Sequence, residues 1–102
     1  MQYQLVLQFP ADSTTDFNAF IELENLLEIA LRDSHLVDGH DIGSGKMNIF
    51  IHTNDPIMAF DVARAEITAE LLGGLKAAFR KLDGEEYKWI YPMDSPGNFR
   101  VA

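Results

Sequence analysis

Residues 2–9, QYQLVLQF, put Tyr3, Leu5, Leu7 and Phe9 on one side and Gln2, Gln4 and Gln8 on the other. A period of two predicts a half-buried strand, and Pro10 ends it. The period then changes. After ADSTTD, a run of good N-cap residues, Phe20, Leu23, Leu27, Ala30 and Leu31 recur at three- and four-residue steps. That spacing predicts an amphipathic helix from about Thr15 to Arg32 with these residues buried. Asp16 and Glu22 sit near its positive end. Ile21 and Ile29 fall off the stripe and are expected to cover a loop or meet a partner.

The next stretch, DGHDIGSGKMNIFIHT (Asp38–Thr53), reads as a hairpin. His35 to Ile42 is one strand, and Gly39 inside it signals a bulge. Gly43-Ser44-Gly45-Lys46 makes the reversal, and Met47 to Thr53 the return strand. With Ile42 opposite Met47, Asp41 opposes Asn48 and shares a face with Phe50 and His52. His40 then shares the other face with Ile49. Asn54-Asp55-Pro56 starts a second helix, the proline supplying its first-turn φ. This helix is expected to run to about Leu72, burying Ile57, Phe60, Ala63, Ile67 and Leu71, with Gly73-Gly74 as its stop. Residues 75–82 read as a strand, although LKAAFRKL also has helical character. Asp83-Gly84 marks a turn. Tyr87 to Tyr91 forms the last strand, with either Tyr87, Trp89 and Tyr91 or Ile90 on the side of the sheet not covered by helices. Residues 92–102, with two prolines and a glycine, read as a surface arm.

At 102 residues the chain is sized for a single domain. Helices separated by a hairpin predict an antiparallel sheet with both helices on one face, an α+β class. The order strand, helix, strand, strand, helix, strand resembles a ferredoxin-like β-α-β-β-α-β sandwich with an additional C-terminal strand. The block DGHDIGSGKMNIFIHTNDP, with the later AAFR and WIYP, is similar to small uncharacterised bacterial proteins of that architecture. The resemblance spans most of the chain and implies no particular activity.

Composition narrows the function classes. The formal net charge is −8, and residues 1–41 hold eight acids against one base, Arg32. That balance argues against nucleic-acid binding and is compatible with a basic protein partner. No apolar run is long enough for a membrane span. The chain has no cysteine, which points to the cytoplasm and against thiol or Cys-zinc chemistry.

The candidate chemistry has three parts. Gly43, Ser44, Gly45 and Lys46 suggest a small anion loop, but the lysine is followed by Met47 and a strand, so this is no phosphate-binding P-loop. A turn alone explains the glycines. His35, Asp38, His40 and Asp41 are the densest set of metal-ligand types, without a supporting ligand motif. Glu22, Glu24 and Glu28 form an acidic helix surface, and Phe50 and His52 belong to a sheet face that an antiparallel sheet can leave open. The reading favoured by these features is a non-enzymatic, cofactor-free interaction domain, a homodimer through its sheet face, with an immunity- or inhibitor-like role also consistent with its acidity. The alternative is a small-molecule or metal-dependent enzyme at His35, Asp38, His40 and Asp41 beside the glycine loop.

Overall fold

The structure is a computed structural model that describes residues 2–11, 17–31, 35–43, 45–92 and 97–101. The chain folds as an α+β protein around a five-stranded antiparallel sheet. In sequence order the elements are β1 (Tyr3–Pro10), α1 (Phe17–Leu31), β2 (His35–Gly43), β3 (Lys46–Thr53), α2 (Pro56–Glu66), a short turn of helix α3 (Ala69–Leu72), β4 (Lys76–Lys81) and β5 (Lys88–Tyr91). Across the sheet the order is β2-β3-β1-β4-β5. The expected caps of α1, with Thr15, Asp16 and Arg32, lie outside the described residues.

Both long helices cover one side of the sheet. Leu5, Leu7 and Phe9 of β1 and Met47, Ile49 and Ile51 of β3 meet Phe20, Leu23, Leu27 and Leu31 of α1 and Ala59, Phe60 and Ala63 of α2. Ala30, expected in the stripe of α1, is exposed, and Ile29 beside it is 64% exposed. Ile57, expected in the core, is also exposed. The helix begins at Pro56, and its inward face passes through Pro56, Ala59, Phe60 and Ala63.

The second helix is shorter than its periodicity predicts. Asp55 caps it, its Oδ1 accepting from Met58 N at 3.0 Å. At the other end Ile67 turns extended (φ −84°, ψ 123°), and Thr68 caps a new turn by accepting from Leu71 N. Two adjacent β-branched residues resist helix, and the break still buries both Ile67 and Leu71. Gly74 then passes close under Pro10: a Cβ there would meet the proline ring at 2.7 Å.

The hairpin has the expected register. Ile42 opposes Met47, Asp41 opposes Asn48 and His40 opposes Ile49, with an irregularity between Val37 and Gly39. Residues 75–82 contain a strand, β4. A second irregularity lies between β4 and β5: Ala77 opposes Tyr91 while Ala78 opposes Trp89, so Ile90 is the extra residue. The bulge changes which face β5 presents. Trp89 lies on the side away from the helices with Val6 and Ala78. Tyr91 lies on the helix side, 6.0 Å from Phe60, with Arg64 over its ring. Neither of the two expected faces of β5 holds along its whole length.

The C-terminal segment corrects the expectation of a surface arm for its described part. Residues 97–101 lie along the sheet on the side opposite the helices. Phe99 is 5% exposed and packs with Val6 and Ala78. Its ring stands edge-on to Trp89 at 5.3 Å and 5.1 Å from Tyr87. β1 is therefore covered on both sides and not half-buried. Gln4 and Gln8 are buried with its leucines.

Candidate functional site

Side-chain alternation along β2 decides what its histidines and acids can do together. His35 and His40 oppose Thr53 and Ile49, on the helix side. Asp41 opposes Asn48, on the other side, and Asp38 reaches His52 at 3.8 Å. The four residues of the expected metal set thus divide between the two faces. Among the described residues no group of three or more His, Cys, Asp or Glu could hold a metal ion.

Each histidine has a partner of its own. His35 Nδ1 lies 2.6 Å from Thr53 Oγ1, and Thr53 Oγ1 also accepts from Asp55 N at 2.9 Å, just before α2. His40 Nδ1 lies 2.9 Å from both carboxylate oxygens of Glu24, and its ring stands edge-on to Phe20 at 5.8 Å. An ionised carboxylate only accepts, so Nδ1 carries a proton, and a neutral ring keeps its lone pair on Nε2. This pair ties α1 to the edge strand β2. It also corrects the expected acidic surface: Glu24 is 8% exposed, while Glu22 and Glu28 remain on the solvent side. Any electrostatic steering by α1 rests on those two.

The glycine loop is a turn in the described structure. Gly45 has φ +75°, a conformation suited to glycine, and its carbonyl accepts from Ala11 N at 2.9 Å. Ser44 lies outside the described residues. Gly43 is exposed, and Lys46 Nζ points to the Arg100 carbonyl at 3.5 Å.

The sheet face away from the helices carries a second apolar cluster around Val6, Ala78 and Phe99. Over β1, β4 and β5 the C-terminal segment covers it. Gln8 Nε2 donates to Asn48 Oδ1 at 3.0 Å and to the Arg100 carbonyl at 2.7 Å. Asn48 Nδ2 donates to the Val101 carbonyl at 3.0 Å, and Trp89 Nε1 to the Gly97 carbonyl at 3.0 Å. Two buried amides and one indole thus hold a backbone with no strand of its own. Beside β2 the face is more open. Leu36, opposite His52, is 53% exposed, and Phe50, opposite Gly39, is half-buried. The two residues expected on this surface, Phe50 and His52, do lie on one face. At the other end of the sheet, Arg80 Nη1 reaches the carbonyls of Lys81, Leu82 and Gly84 at 3.0, 3.1 and 3.0 Å and holds the turn after β4.

Sequence reasoning missed the docked C-terminal segment and the Glu24–His40 pair. Phe99 and Val101, apolar residues two apart in a polar tail, were the available signal for the first. Among the described residues, no helix is long and apolar enough to cross a membrane. Comparison of the chain with protein-family models, with curated proteins and with solved structures finds no match.

Proposed function

We propose that this chain is a non-catalytic binding module that pairs with a second copy of itself through the part of the sheet face beside β2. The observation that supports this reading is Leu36, half-exposed on the same face as Phe50 and His52, next to a region where the chain supplies its own cover. Phe99 meets the apolar need of Val6 and Ala78. Leu36 has no such cover among the described residues. His52 stands opposite it and pairs with Asp38 at 3.8 Å, polar neighbours that suit an interface with an apolar centre and a wet rim. The irregularity after Val37 blunts edge-to-edge pairing of β2, so face-to-face contact about a two-fold axis is the favoured geometry.

Within this reading, the strand order β2-β3-β1-β4, with one helix after β1 and another after β3, is a ferredoxin-like unit to which β5 and the C-terminal segment are added. The cysteine-free composition favours a cytoplasmic setting.

Sedimentation velocity over a range of concentrations tests the pairing. The unmodified chain is expected to shift from monomer towards dimer with rising concentration. Leu36→Asp, a change at an exposed site, is expected to stay monomeric with an unchanged circular dichroism spectrum. A Leu36→Asp chain that dimerises like the parent removes this face from the interface. A parent that is monomeric throughout ends the self-association reading.

A further inference from the structure

A cleft of 330 Å³ opens where the C-terminal segment crosses the ends of β3, β1 and β4. Its walls include Gln8, Lys46, Lys76, Trp89, Phe99 and Arg100, and among the described residues none that lines it is acidic. In a chain with net charge −8 and only eight Lys and Arg, three of those bases meet at one place. Like charges gathered at one place repel one another. An arriving anion reverses that cost and is drawn by the local field.

The register places the two lysines on one face of the sheet, either side of β1. Lys76 stands opposite Gln8 on one side of β1, and Lys46 stands opposite Pro10 on the other. Two strand spacings and one two-residue step separate their Cα atoms by roughly 12 Å, a span two lysine stems can close around one small group. Between them lies the Gln8 amide, buried, its Nε2 already donating to Asn48 and Arg100. That wall is fixed before any ligand arrives. Trp89 stands at the other side, held by its bond to the Gly97 carbonyl and by Phe99. It offers a preset apolar surface next to the positive charge. The volume is at the small end of ligand sites.

We propose that this cleft binds a small phosphate monoester carrying a planar ring, the phosphate held between Lys46, Lys76 and Arg100 and the ring against Trp89. Three cations suit a dianion better than a monocarboxylate, and Lys and Arg are phosphate-binding groups. The proposal is independent of the self-association described above, which uses the β2 end of the same face.

Trp89 is the sole tryptophan, so its fluorescence reports on this cleft alone. The test titrates uridine monophosphate, uridine and inorganic phosphate into the full chain, excited at the red edge of tryptophan absorption, beside a Lys46→Ala/Lys76→Ala variant whose fold is checked by circular dichroism. A saturable change with uridine monophosphate is expected, weakened by salt. Uridine should give none, and inorganic phosphate should bind more weakly. The double variant should bind uridine monophosphate at least about ten-fold more weakly, the loss of roughly one charged hydrogen bond. No saturable response to either phosphate, or equal affinity in the double variant, overturns the site. Phosphate binding as tight as the nucleotide, or an equal response to uridine, overturns the proposed ligand class.

Discussion

Replacing Phe99 by alanine tests whether the C-terminal segment belongs to the fold. Phe99 is almost fully buried against Val6 and Ala78 and touches two further rings. An aromatic side chain buries on the order of 200 Å², worth about 5 kcal/mol at the usual coefficient and less against a realistic unfolded chain. A Phe→Ala change in a closed core costs about 3–5 kcal/mol. Here the loss has a ceiling, because residues 97–101 can leave the sheet. Detachment returns backbone entropy of roughly 1–2 kcal/mol per residue and lets water reach Gln8 and Asn48, so neither amide is left buried and unpaired. The expected destabilisation is therefore about 2–3 kcal/mol. It should be accompanied by a red shift of Trp89 emission in the folded protein, because the indole loses both Phe99 and its acceptor, the Gly97 carbonyl. Urea unfolding followed by far-ultraviolet circular dichroism gives the first quantity, and fluorescence without denaturant gives the second. A loss below about 0.5 kcal/mol, in the range of ordinary surface substitutions, with unchanged emission would refute the docking of this segment.

Two further predictions concern the other side of the sheet. Gly74→Ala should cost about 1–3 kcal/mol, the range for overpacking, because the new Cβ meets the Pro10 ring at 2.7 Å. Gly73→Ala, with open space at that point, should be near neutral, and paired urea melts that give equal values would count against the close approach. In a double-mutant cycle, Glu24→Gln and His40→Ala should couple by about 1 kcal/mol. This is below the cost of breaking a buried pair, because the His40 side chain is 36% exposed and solvent screens it. Additive effects would mean that the pair does not join α1 to β2 energetically.

The parts of the fold legible in the sequence were those set by local signals. Gly45, at positive φ, marks the turn, and the turn sets the register that puts Asp41 opposite Asn48. Gly39 marked the irregularity in β2, and Asp55-Pro56 marked a helix start. What stayed hidden depended on distant partners. Glu24 looks like one acid among several until His40, sixteen residues on and on a neighbouring strand, accepts it as a partner. The extra residue Ile90 reverses the alternation of β5 between Trp89 and Tyr91, and no glycine announces it. The tail PMDSPGNFRVA has no period long enough to show which face it covers. The candidate metal set failed for a reason the sequence did contain: alternation along β2 sends His40 and Asp41 to opposite faces.

The proposed self-association brings two copies together on the sheet face beside β2. Half-filtered nuclear Overhauser spectroscopy on a mixture of labelled and unlabelled protein measures this directly. Intermolecular cross-peaks are expected from the Leu36 methyl groups to protons of the second copy, with Phe50 and His52 in the same contact set. Intermolecular cross-peaks confined to the exposed helix residues Leu26 and Ile29, with none from Leu36, would contradict it.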